Sequence, residues 1–258
     1  MSYYEGFPGY ISAAEKRKKA QESVEKLKKK NPDISPVIIT GRKIAKTWWG
    51  KAWNDNLESY SDYSNRIGRG RSYVRNGAVL DIKIVEGHIT ALVQGSRSKP
   101  YNVNVTIDPL PKTVWEEIVK DCMGKIESLQ ELLEGKFPKA LSELFTAKGK
   151  GLFPAPKEIT LACSCPDWAN MCKHVAAVLY GVGAKLDERP ALFFVLRNIN
   201  MEDIISETIK QKSQTLLEKS KTKSRRMIDE TDISSVFGID IETETKADVE
   251  ENQKVTKK

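Results

Sequence analysis

Cys163, Cys165, Cys172 and His174 fall within one twelve-residue segment, CSCPDWANMCKH, of a chain that has four cysteines and two histidines in all. The pattern Cys-x-Cys-x6-Cys-x-His offers soft and borderline ligands to a cation. Zinc takes about four such ligands in a tetrahedron, at about 2.3 Å to sulfur and about 2.1 Å to imidazole nitrogen. Three thiolates and one imidazole meet that number and leave no open position, so the reading is structural zinc. A catalytic zinc would need an open position and a nearby general base, for which Asp167 is the one local candidate. The His-x-Glu plus Cys-x-x-Cys pattern of the zinc deaminases is absent. Thiol–disulfide exchange ordinarily uses Cys-x-x-Cys, and an iron–sulfur site would be expected to end Cys-x3-His. Plain core cysteines would not gather three of four in one segment. These alternatives rank behind zinc.

The ligand types dictate how the chain must run. In a flat strand Cys163 and Cys165 would point to opposite faces, so the chain has to bend there, and Pro166 suits a turn. Cys172 and His174 stand directly before VAAVLYGVG, an apolar helix expected to end at Gly181 or Gly183. A helix N-terminus presents free N–H groups and the positive end of its dipole, which favours thiolates. Trp168, between the two ligand pairs, is expected to pack beside the ion. The remaining cysteine, Cys122, lies on an apolar helical stripe with no ligand neighbour and reads as a buried small hydrophobe. His88 falls in an expected strand with no evident partner.

Further elements follow from periodicity. Residues 12–30 read as a basic helix, with Ser12 and Glu15 as a capping box and Asn31-Pro32 as the stop. Val37–Thr40 suits a short strand. Residues 44–60 read as a helix with Trp49, Trp53, Leu57 and Tyr60 on one face, more in the manner of a core than of a ligand platform. AVLDIKIVEGHITALVQ alternates apolar and polar residues about Glu86-Gly87, and YNVNVTI adds another strand, giving a β-meander. Asn76-Gly77 is a turn that would join Tyr73-Val74 to the same sheet. Residues 113–134 read as an amphipathic helix, and TAKGKGLFPAPKE as a loop or domain junction. The expected fold is α+β: a helix plus antiparallel β-meander domain, then a small ββα-like zinc finger and C-terminal helices. The expected divisions are a basic helical arm (1–35), an α+β domain (36–145), the finger with its following helix (146–205) and a charged, disordered tail (206–258), basic to about residue 226 and acidic from 229.

Cys-x-Cys-x(n)-Cys-x-His followed by an apolar helix resembles the SWIM zinc finger, found in SWI/SNF-type and MuDR transposase-type proteins. The stretches GRSYVRNGAVLDIKIVEGHITALVQGSRSKPYNV and CSCPDWANMCKHVAAVLYGVGAKLDERPALFFVLR resemble the stand-alone prokaryotic proteins that carry one such finger, over roughly residues 36–205. The resemblance implies a structural zinc held by Cys163, Cys165, Cys172 and His174. It also implies a role in DNA or protein binding, and association with a SWI/SNF-type helicase.

The net charge of +7 suits a polyanionic partner. If the strands at 78–85 and 88–94 are antiparallel, the Gly95–Pro100 loop returns to the end where the first began. Arg75, Arg97 and Lys99 then share one end of the sheet, with Arg69 and Arg71 one short strand away. No acidic residue occurs between Ser64 and Leu80 or between His88 and Ile107. Tyr73 and Tyr101 stand among these cations, which suits single-stranded or distorted nucleic acid. Arg69, Arg71, Arg75, Arg97 and Lys99 are therefore the candidate nucleic-acid contacts, with ordinary solvated loops as the bland alternative. Two function classes follow: a nucleic-acid-binding accessory module, DNA ahead of RNA, or a protein-interaction adaptor whose zinc only holds the fold. Neither catalysis nor a small-molecule substrate is expected. No stretch approaches the roughly 18 consecutive apolar residues of a membrane span, and MSYYEGFPGY lacks the form of a signal peptide. The expected setting is cytoplasmic, or nuclear in a eukaryote, without a membrane partner and without disulfides.

Overall fold

Alternation of apolar and polar residues builds one antiparallel sheet in the order β1-β2-β3-β4, from β1 (Val79–Val85), β2 (His88–Val93), β3 (Tyr101–Ile107) and β4 (Ile159–Cys163). The computed structural model describes residues 12–59, 64–122, 142–147 and 149–200, and isolated positions between 202 and 218. It comprises two units, Met1–Thr208 and Ile209–Lys258, and the elements named here belong to the first. The described positions of the second unit are helical. The tail expected to be disordered lies outside the described residues from 219 onward.

On β2 and β3, Ile89, Ala91, Val93, Val103, Val105 and Ile107 are buried, while Thr90, Asn102 and Asn104 face water, the period of two that a half-buried sheet requires. A bulge between Val79 and Asp81 breaks the period. It lets Val79 and Leu80 both be buried and leaves Asp81 to accept the Ser35 N–H at 2.8 Å. The free edge of β1 is covered. Val37 N–H donates to Val79 C=O and Ile82 N–H to Ser35 C=O, so the segment expected as a strand at Val37–Thr40 is an extended cover without a ladder of its own. Across the same strand packs α1 (Ala13–Lys30), whose Ser12–Glu15 capping box forms as expected.

The other layer is α2 (Trp48–Glu58), α3 (Ser64–Arg75) and α6 (Lys173–Glu188), with α4 (Lys112–Cys122), α5 (Ser142–Thr146) and α7 (Leu192–Leu196) beside them. Helix α6 is the hub and is buried along almost its whole length. The tryptophans are core, as their spacing implied. Trp53 Nε1 donates to Leu179 C=O at 2.9 Å and Trp49 Nε1 to Leu186 C=O at 3.0 Å, both on α6. The α6 sequence does not stop at Gly181 or Gly183, because Gly183 is a crossing point. A Cβ there would come within 2.4 Å of Asn54 on α2, so glycine is what lets the two helices approach. Beyond the crossing, the Asp187 carboxylate accepts the Thr47 N–H at 3.2 Å and the Thr47 hydroxyl. That fixes the start of α2 at Thr47 rather than Ile44. The part of the expected 113–134 helix beyond Cys122 lies outside the described residues.

Two expectations need correction. Tyr73-Val74 is not a strand. Residues 64–75 form α3, whose Ile67 and Val74 are buried. The finger is also not a unit set beside the body. Its strand, β4, is the fourth strand of the meander's sheet, with Cys163 opposite Val103 and Leu161 opposite Val105. The second strand of the ββα-like finger is thus β3 of the body. Within the 146–158 segment expected as a loop or domain junction, residues 149–155 form a loop whose Leu152 and Phe153 are in the common core.

Candidate metal centre

The four candidate ligands converge. The donor atoms of Cys163, Cys165, Cys172 and His174 lie within 4.8 Å of one another. Cys163 is the last residue of β4. Ser164 then clamps the chain to β3, its N–H donating to Asn102 C=O and its hydroxyl accepting the Asn102 N–H, each at 2.9 Å. The bend that follows brings Cys165 back towards Cys163, as two ligands spaced Cys-x-Cys require. Cys172 is the N-cap of α6, its sulfur accepting the Val175 N–H at 3.5 Å. His174, in the first turn of that helix, is 1% exposed.

His174 Nδ1 stands 3.9 Å from the sulfurs of both Cys163 and Cys172. In a tetrahedron with zinc-to-ligand distances of about 2.3 and 2.1 Å, sulfur–nitrogen edges are about 3.6 Å, so the spacing suits an ion at the centre. The tautomer with its proton on Nε2 turns the Nδ1 lone pair towards the sulfurs. The ring is held by Tyr101, with centroids 4.5 Å apart, and by the edge of Tyr73 at 5.4 Å. Gly95 completes the cradle. A Cβ at that position would lie 2.3 Å from the Tyr101 ring and 3.3 Å from His174 Nε2, so a side chain there would displace the ligand's support.

The thiols cannot all ionise by themselves. The hydrogen bond from Cys163, helped by His174 and the Val175 N–H, pulls the Cys172 thiol down to about 3. The same shared proton, together with burial, pushes Cys163 far up, and burial raises Cys165. Three sulfurs and one imidazole nitrogen gathered this closely are a donor set that a divalent cation would satisfy by taking the place of the thiol protons, and the residues present fit one.

The loop between the ligand pairs departs from expectation. Trp168 does not pack beside the site and is 76% exposed. What packs inward is its surroundings: Ala169 and Met171 are buried, and Asp167 is bound by Arg66 at 3.1 Å and by the Ala169 N–H at 3.3 Å. Burial tends to raise the Asp167 carboxyl, but the Ala169 N–H and the Arg66 guanidinium outweigh it and hold it below the usual range.

The five candidate nucleic-acid contacts divide in two. Arg97 and Lys99 are exposed on the Gly95–Pro100 loop, which begins at the His174 cradle and ends at Tyr101. Arg69 is exposed on α3, close enough to bear on the Tyr73 hydroxyl by charge. These three border the metal end. Arg71 and Arg75 lie elsewhere on α3 and not on a strand or loop of the sheet. Arg71 pairs with Glu58 and donates to the Tyr180 hydroxyl at 2.8 Å, so it is a structural cation. Arg75 is exposed and lines the groove under α1. His88 faces water, its Nδ1 3.3 Å from the Thr106 hydroxyl. Sequence reasoning missed Arg66 and Gly95. The spacing Arg66, Arg69, Tyr73 marks one side of a helix, and would have been legible had 64–75 been read as helical.

Residues 149–182 match the sequence profile of the SWIM zinc finger. The chain carries a SWIM zinc finger. The match begins ten residues before β4 and ends within α6, so the profile covers the core loop, the last strand and the ligand-bearing start of the hub helix. Over 164 residues the chain is 37% identical to the uncharacterized protein Rv2102 of Mycobacterium tuberculosis, covering 63% of this chain and 59% of that protein. The chain thus spans about three-fifths of the length of the curated relative it matches. No solved structure matches it.

Proposed function

We propose that the chain is a zinc-binding SWIM-finger module that binds nucleic acid through the cationic end of its sheet, DNA being the first polymer to test and a SWI/SNF-type helicase the expected protein partner. Zinc is the metal this reading assigns to the four ligands, on the chemistry of a closed three-thiolate, one-imidazole set. The observation that carries the reading is the placement of Arg69, Arg97 and Lys99 around the end of the sheet where the SWIM finger is fastened. Among the described residues no carboxylate pairs with any of the three. A surface of unpaired cations fixed to rigid elements is the electrostatic footprint of a phosphate-binding protein.

The competing reading is an adaptor whose metal only holds the fold, and the exposed indole of Trp168 is in its favour. A binding titration against duplex and single-stranded DNA and RNA over a salt series separates the two. Phosphate contacts release counter-ions, so affinity must fall steeply with salt. Absence of binding to every polymer at low salt would remove the nucleic-acid reading and leave the adaptor.

A further inference from the structure

We infer that Trp168 is a stacking platform for an unpaired base, so that the nucleic acid held at the metal end is a single strand. This rests on the nucleic-acid reading above and narrows it to one polymer form.

Trp168 differs from the other tryptophans. Trp53 and Trp115 are buried, Trp48 and Trp49 half-buried, and Trp168 is 76% exposed. The loop that presents it is tied down on both sides. Asp167, just before it, is fixed by Arg66 and the Ala169 N–H. Ala169 and Met171, just after it, are buried. The metal ligands Cys165 and Cys172 close the loop at its ends. An indole offered from a fixed loop loses little freedom when a ligand lands on it, which favours contact.

Its neighbours are cationic. Along α3, Arg66, Arg69 and Tyr73 follow one side of the helix: Arg66 reaches the Trp168 loop at Asp167, and Tyr73 reaches His174. Arg69 therefore lies between the loop and the metal. Lys173, at the start of α6, is near enough to act on Asp167 by charge. Among the described residues no carboxylate pairs with Arg69 or Lys173. An aromatic face flanked by cations that follow a phosphate chain is how single strands are held, and it tolerates sequence because every base has a π-face. In a duplex the base faces are covered by their neighbours and out of reach of a surface indole. A protein partner would also use an exposed tryptophan, but the flanking cations favour a polyanion.

The test uses the metal-loaded full chain and three probes: a labelled oligothymidylate, an oligouridylate and a mixed-sequence duplex. The wild type is expected to bind oligothymidylate more tightly than duplex at equal salt, with quenching of indole emission. Trp168→Ala should weaken single-strand binding about 5- to 160-fold, the range of one base–aromatic stack. Its metal content, melting temperature and duplex binding should stay at the wild-type values. Trp168→Phe should fall between the two. A matching loss on oligouridylate supports the inference equally. If Trp168→Ala holds oligothymidylate as tightly as wild type, or if the wild type prefers duplex, the stacking inference is overturned while the nucleic-acid reading stands. If the wild type binds none of the three probes at low salt, both are overturned and Trp168 becomes a protein-facing anchor.

Discussion

Three of the four candidate ligands are built into elements that the rest of the fold needs: Cys163 ends β4, Cys172 caps α6 and His174, in the first turn of α6, is wedged against Tyr101 and Tyr73. Losing one ligand should therefore damage more than the finger. Structural zinc contributes on the order of 10–16 kcal/mol in apparent binding free energy at neutral pH. Cys172→Ser is expected to abolish stoichiometric metal and to collapse the cooperative melt of the first unit, read by elemental analysis and circular dichroism. A subtler probe is Gly95→Val. The new side chain must push on the Tyr101 ring and crowd His174, at a cost of about 1–3 kcal/mol for overpacking. Release of the metal to a chelator should be faster than in wild type, although all four ligands remain. An unchanged release rate would show that the cradle does not hold the ring. The ligand set was legible from types and spacing alone. Gly95 was not, since its role is set by two side chains that arrive from β3 and α6.

Helix α2 begins where α6 ends, because the Asp187 carboxylate takes the N–H groups of Lys46 and Thr47 and the Thr47 hydroxyl. Asp187→Ala removes this brace on Thr47, the N-cap of α2, whose hydroxyl still accepts the Gly50 N–H, and equilibrium denaturation should show a loss of about 1–2 kcal/mol for the lost hydrogen bonds to a carboxylate with metal content intact. The elements that were legible in the sequence are those with a local cause. The Ser12–Glu15 capping box marks the start of α1, and strict alternation marks β2 and β3. The elements that were misread have a tertiary cause. Helix α3 has too sparse a buried stripe, Ile67, Gly70 and Val74, to show as a helix by periodicity. Gly183 reads as a helix stop but is a crossing point against Asn54. Trp168, apolar and next to the ligands, reads as packing, yet the buried neighbours Ala169 and Met171 take that role.

At the scale of the molecule, the four candidate ligands gather the last strand and the hub helix at the same end of the sheet as the Gly95–Pro100 loop, so a fold contact and a cationic surface share one place. The chain's net charge is +7, and Arg69, Arg97 and Lys99 are the part of its basic charge that borders this end. No described helix is long and apolar enough to cross a membrane. Replacing Arg69, Arg97 and Lys99 together with Ala should flatten the slope of log affinity against log salt by about 2–3 units, at about 0.7–0.9 per phosphate contact. The melting curve should stay near wild type. Arg71→Ala should instead lower stability, because it leaves Glu58 and the Tyr180 hydroxyl without their shared partner. The central claim is that Cys163, Cys165, Cys172 and His174 hold one zinc ion and so join the finger to the sheet. X-ray absorption at the metal edge of the purified chain tests it most directly. The account predicts one zinc per chain with three sulfur ligands at about 2.3 Å and one nitrogen at about 2.0–2.1 Å. Iron, an oxygen-dominated shell, or two sulfurs with two nitrogens would contradict it.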